Sequence, residues 1–136
     1  MILVDSSVWI DFLNSNRGRA GNELERLIRS GAPLVLAGVI VTEVLQGLKR
    51  DVAKVARLLA GWPLIEPGGF ATYAVAAGIF RQARERGLTL STVDALLASL
   101  AIEYQAALFT LDKDFERLAF SGLRLHHPDH NGFDIR

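Results

Sequence analysis

Short apolar runs alternate with stretches of helical periodicity along most of this chain, and few folds accept that pattern. A chain that alternates in this way builds βαβ units, in which a helix carries the backbone from one strand to the next parallel one. The first run, Ile2-Leu3-Val4, is apolar at consecutive positions, as a strand covered on both faces must be. Four further runs have strand character: Leu34-Val35-Leu36, Pro63-Leu64-Ile65, Ala107-Leu108-Phe109 and Leu123-Arg124-Leu125. The expected fold is α/β, with a central parallel sheet of four to five strands flanked by helices, in one domain over residues 1–136.

The connecting segments read as helices. Ser6-Ser7 offer a helix N-cap before the apolar Val8 to Leu13. Asn14 to Gly21 reads as a polar loop, and Asn22 to Ser30 as a helix closed by Gly31. Helical patterns then cover Val39 to Leu48 and Val52 to Leu59. Phe70, Tyr73, Ala74, Ala77 and Phe80 recur at helical spacing up to a stop at Gly87. Ser91 to Tyr104 is the strongest pattern, and its apolar Ala95 to Ile102 core predicts a buried helix. Asp114 to Phe120 reads as a short helix.

Composition narrows the function. Half of the 136 residues are hydrophobic and Lys plus Arg balances Asp plus Glu at 15 each, so any nucleic-acid binding has to come from a local patch. The absence of cysteine excludes disulfides and thiolate zinc sites. No apolar run reaches membrane-spanning length, and the N-terminus lacks the basic-then-apolar layout of a signal peptide; a cytoplasmic protein is the expectation.

The chemistry lies in the acids. Asp5 directly follows the first strand, and Asp112 and Asp114 follow the fourth, at the carboxyl ends where open parallel sheets bind ligands. Asp94 sits in the first turn of the buried helix, and Glu43 interrupts the apolar run Val39 to Leu45. Each has an ordinary structural explanation as well. Asp94 completes a capping box with Ser91, Asp5, Asp112 and Asp114 suit helix caps, and Glu43 could pair with an arginine. Taken together they say more. Converging carboxylates repel by roughly 4 kcal/mol per pair at about 4 Å and an effective dielectric near 20, so such a cluster calls for protonation, arginines or a cation. An all-oxygen donor set suits Mg²⁺ or Mn²⁺, and a carboxylate-held metal with open positions is equipped for phosphodiester hydrolysis.

Four motifs in order, Leu3 to Ile10, the lone Glu43, Leu90 to Ala98 and Phe109 to Phe115, resemble the PIN-domain ribonucleases, and more narrowly the VapC toxins of bacterial toxin–antitoxin pairs. The resemblance covers essentially the whole chain. It implies a three-layer PIN-like fold and a Mg²⁺-dependent endoribonuclease, with Mn²⁺ as a possible substitute. It implies Asp5 and Asp94 as principal metal ligands, with Glu43, Asp112 and Asp114 completing the site directly or through water. Either Asp112 or Asp114 could be the acid that matters in the last motif. Thr110 and Ser6 would orient ligands or water by hydrogen bonds. The resemblance further implies a homodimer, an RNA substrate and a VapB-like antitoxin that fills the active-site groove.

Other readings stay open at this point. Aspartyl-phosphate phosphatases want Asp-x-Asp where this chain has Asp5-Ser6-Ser7, and receiver domains want an acidic pair and a lysine that are not evident. A non-catalytic binding module would use the acids only as caps and ion pairs. Trp9 and Phe115 read as core residues, while Lys49, Arg50, Lys54 and Arg57, and Arg81, Arg84 and Arg86, read as basic helix faces. His126-His127-Pro128-Asp129-His130 is dense in ligands, but neighbouring residues of an extended segment face opposite ways, so an exposed tail is expected there.

Overall fold

The structure is a computed structural model, and it describes residues 1–128. Strand β1 (Ile2–Val4) leads into helix α1 (Ser6–Leu13) and, after a short loop, α2 (Arg19–Arg29). Strand β2 (Leu34–Val35) is followed by α3 (Gly38–Gln46), α4 (Val52–Leu59), α5 (Phe70–Glu85) and α6 (Thr92–Glu103). Strand β3 (Ala107–Phe109), a 3₁₀ segment (Lys113–Ser121) and β4 (Arg124–Leu125) complete the described residues.

The sheet has the order β2-β1-β3-β4, and every pairing is parallel. Central β1 aligns Leu3 with Val35 on one side and with Leu108 on the other. Leu3, Val4, Leu108 and Phe109 are essentially inaccessible, which explains why these strands are apolar at consecutive positions. From β1 the chain moves outward to β2, then crosses back past β1 to β3. Right-handed crossovers in these opposite directions put helices on both faces of the sheet. The strand order therefore reverses between β1 and β3, and the crevice at their carboxyl ends is the switch point.

Four expectations need correction. Pro63 to Ile65 is not a strand: Leu64 makes an isolated parallel bridge to Leu36, whose backbone N–H donates to Pro63 and whose carbonyl accepts from Ile65, each at 2.8 Å. Helix α2 begins at Arg19, inside the stretch read as a loop. The Asp11 carboxylate of α1 accepts from the backbone of Gly18 (3.0 Å) and of Gly21 (2.7 Å), satisfying free donors at the start of α2. A Cβ on Gly21 would come within 3.0 Å of the Asp11 backbone, so the close approach of the two helices requires glycine there. Ser6 and Ser7 do not cap α1; the N-cap position is Asp5, and both hydroxyls turn to carboxylates.

The fourth correction concerns His126, which is not part of an exposed tail. Its Nε2 lies 2.8 Å from Oε2 of the buried Glu23, and its ring packs on Phe109. His127 is exposed, so the two neighbours do face opposite ways. Asp129 and His130 lie outside the described residues. Trp9 and Phe115 are core residues as expected, at 0% and 1% exposure.

Candidate active site

Asp5 closes β1, and its position is over-determined. Its backbone N–H donates to the Phe109 carbonyl (2.8 Å), continuing the β1–β3 pairing by one residue. The residue is 7% exposed, and its Oδ2 accepts from Thr110 Oγ1 (2.8 Å) and Ser7 Oγ (3.0 Å). Two neutral hydroxyls thus satisfy one carboxylate oxygen, while Oδ1 takes no hydrogen bond from the described residues. Ser7 also accepts from the Leu111 N–H (3.0 Å), and Thr110 Oγ1 accepts from the Asp112 N–H (3.0 Å). The loop after β3 is thereby tied to the same hydroxyls that orient Asp5.

Asp112 is half-buried, and its Oδ1 accepts from the Asp114 N–H (3.0 Å), which starts the 3₁₀ segment. The Asp114 side chain is exposed. Asp94 completes the capping box read from sequence: its N–H donates to Ser91 Oγ (3.0 Å) and its Oδ2 accepts from the Ser91 N–H (3.5 Å). That structural role does not exhaust it. Burial pushes the Asp94 carboxyl above the usual carboxylate range, and the charges of Asp112 and Asp5 push it the same way, against the hydrogen bonds from Ser91. Asp94 therefore lies within the electrostatic reach of both other acids.

Glu43, half-buried on α3, accepts from Ser6 Oγ (3.0 Å), so the residue after Asp5 holds it in place. The structure brings Asp5, Asp94 and Asp112 into one electrostatic neighbourhood, joins Glu43 to it through Ser6, and leaves Asp114 at its rim. Among the described residues no three His, Asp or Glu side chains close around a single point tightly enough to hold a metal ion alone. Ser7 was missed as a site residue. Its position in the first turn of a helix, two residues after an acid, was the available signal, and it reads equally well as a cap.

The PIN-domain family model matches residues 2–121, and the chain belongs to that family. It is 32% identical over 123 residues to Ribonuclease VapC11 of Mycobacterium tuberculosis, an overlap of 88% of this chain and 92% of that protein. Its fold is similar to that of VapBC2 from Rickettsia felis, solved bound to a DNA fragment from its promoter (TM-score 0.75, 21% identity, 95% of this chain and 100% of that one). It is also similar to VapBC-1 from nontypeable Haemophilus influenzae (TM-score 0.72, 18% identity, 93% and 97%). At such identities these two likenesses are likenesses of fold. None of the described helices is long and apolar enough to cross a membrane.

Proposed function

We propose that this chain is one nuclease domain over residues 1–136, the toxin of a type II toxin–antitoxin pair, and an endoribonuclease that hydrolyses RNA phosphodiester bonds with a bound divalent metal. The observation that carries the reading is the gathering of buried Asp5 with half-buried Asp94 and Asp112 at the sheet's switch point, in a chain 32% identical to proteins named as ribonucleases. Burial and the charges of Asp112 and Asp5 raise the proton affinity of Asp94, and serine and threonine hydroxyls hold the acids in place. Such an arrangement works against folding unless a cation offsets it.

The donor set fits a hard cation. Asp5 keeps one oxygen free of hydrogen bonds from the described residues, and all donors are carboxylates, as Mg²⁺ or its substitute Mn²⁺ prefers. Asp5 and Asp94 would hold it, with Glu43 and Asp112 acting directly or through water and Asp114 in a lesser part. When bound, the ion supplies an activated water and stabilises charge on the phosphate oxygens. The chain's own part is preorganisation. Thr110 and Ser7 fix the orientation of Asp5, Ser6 holds Glu43, and Ser91 anchors Asp94. Its partners are RNA, a second copy in a homodimer, and a VapB-like antitoxin that occupies the acidic groove; its compartment is the cytoplasm.

The direct test is cleavage of a structured RNA in Mg²⁺ or Mn²⁺ by the parent and by Asp5→Asn. Cleavage should be lost in the variant while its fold is kept. Expression of the parent alone should arrest growth, and co-expression of the product of a neighbouring short reading frame should relieve the arrest. A folded parent that leaves every RNA intact in both metals refutes the reading.

A further inference from the structure

Two basic helix faces stand out in the sequence: on the α5 face Arg81 has no partner among the described residues but its neighbours do, whereas on the other face none has one. On and after α5, Arg84 lies over the Phe80 ring (5.6 Å to its centroid) and Arg86 over that of Phe120 (4.0 Å). On α2 and in the loop before it, Arg26 pairs with Glu23, Arg29 with Glu25, and Arg17 with Glu25. These cations have intramolecular work. Lys49, Arg50, Lys54 and Arg57 have none: all four are exposed, and no described residue offers them an ion pair, a hydrogen bond or a ring. Asp51 is the one acid between Lys49 and Arg57. Lys54 stands in the first turn of α4, where the helix dipole disfavours a positive charge, so local helix stability does not account for it.

The position of this face matters as much as its charge. Lys54 and Arg57 are three apart and share one side of α4, while Val55 and Leu59 bury the other against the core. Helix α4 packs on α3, the helix that carries Glu43. The end of α3 at Gln46 is only about 5 Å along the axis beyond Glu43, and Lys49 follows three residues later. In a chain with no net charge, a local excess of cations beside an acidic site is what can hold a polyanion near it.

We infer that the Lys49–Arg57 face is a track for the RNA sugar–phosphate backbone, placing the strand across the acidic site. The inference rests on the ribonuclease reading above and adds the surface that holds the substrate. Phosphate-directed cations position the strand without reading its bases, so the face contributes affinity and not sequence choice.

The test is fluorescence anisotropy with a fluorescein-labelled single-stranded RNA in EDTA, over a salt series. It compares the parent, Lys49→Gln/Arg50→Gln, Lys54→Gln/Arg57→Gln, all four changes together, and Arg84→Gln as the control. The fourfold variant should bind about tenfold or more weakly, and its log–log salt slope should be shallower by about 0.7 for each phosphate it no longer neutralises. The Arg84→Gln control should match the parent in RNA affinity and salt slope, and the variants of Lys49, Arg50, Lys54 and Arg57 should melt close to the parent because those four side chains are exposed. In cleavage, KM should rise while kcat holds. If the fourfold variant binds RNA with the parent's affinity and slope while both still cleave, the track is wrong and the ribonuclease reading stands. If the parent neither binds nor cleaves RNA, both fall together. If the variant keeps its RNA affinity but no longer binds a protein partner, the face is a protein interface and the inference is overturned.

Discussion

Replacing Asp94 by Asn separates the two roles that the structure gives this residue. The cap survives the change almost intact. The Ser91 Oγ bond is made by the backbone N–H of residue 94, which stays, and an amide oxygen can accept the long 3.5 Å bond from the Ser91 N–H. Weakened capping should therefore cost at most about 1 kcal/mol. The charge effect runs the other way. Burial, reinforced by Asp112 and Asp5, raises the folded-state pKa above the unfolded value of 3.8. Folding thus favours the protonated acid, and the parent loses stability as pH rises from the unfolded value through the folded one. The neutral amide is spared that loss. In EDTA the melting temperature of Asp94→Asn, relative to the parent, should be more favourable at about pH 7 than at about pH 3. Catalysis should respond quite differently, with RNA cleavage in Mg²⁺ falling on the order of a hundredfold or more. Thermal melts at both pH values beside single-turnover cleavage make the measurement. A folded Asp94→Asn that cuts at the parent rate would show that the residue only caps its helix. A variant destabilised equally at both pH values by several kcal/mol would refute the argument about its charge.

Three further outcomes follow from the geometry. Millimolar Mg²⁺ or Mn²⁺ should raise the melting temperature of the parent, and Asp5→Asn should abolish most of that rise; equal shifts in both proteins would remove Asp5 from the metal site. Asp11→Ala removes a charged acceptor from the Gly18 and Gly21 N–H groups and should cost about 2 kcal/mol by denaturant unfolding, with RNA cleavage per folded molecule unchanged. Burial alone would raise the pKa of Glu23, but hydrogen bonds and charge from Arg26 and His126 bring it below 4.5. The stability it contributes is therefore present above that value and lost as pH falls through the lower folded-state one, and Glu23→Gln should flatten this acid limb of the melting curve.

What could be read ahead of the structure follows the range of the interactions involved. The strands that pair centrally were legible because burial on both faces demands consecutive apolar residues, and Leu3, Val4, Leu108 and Phe109 meet that demand. Pro63 to Ile65 has the same look, yet proline offers no donor to a ladder and Leu64 is 52% exposed, so only a single bridge forms. The capping box of α6 was legible because both of its partners lie within four residues. The start of α2 was not, because Gly18 and Gly21 read as loop residues until the Asp11 carboxylate arrives from another helix.

The same distinction of range divides the site. An acid in an apolar setting announces itself, which is how Asp5, Glu43 and Asp94 stand out in the sequence alone. A hydroxyl announces nothing, because Ser and Thr donate as readily to a nearby backbone group as to a distant carboxylate. Ser7 looked like a cap because the residues that build the site around Asp5 with it, Thr110 on the same Oδ2 and Leu111 donating to its hydroxyl, lie more than a hundred positions away. His126 looked like tail for a similar reason, since Glu23 lies at a separation of 103 residues. A signal did exist there: Glu23 directly precedes Leu24 in the stripe that α2 buries, and a buried glutamate needs a partner. Searching the rest of the chain for cations able to reach such an acid would have moved His126 from the surface to the core edge. No comparable search finds Ser7, because its hydroxyl donates only two residues back to Asp5, and the bond it accepts from the Leu111 N–H exists only where β1 meets β3.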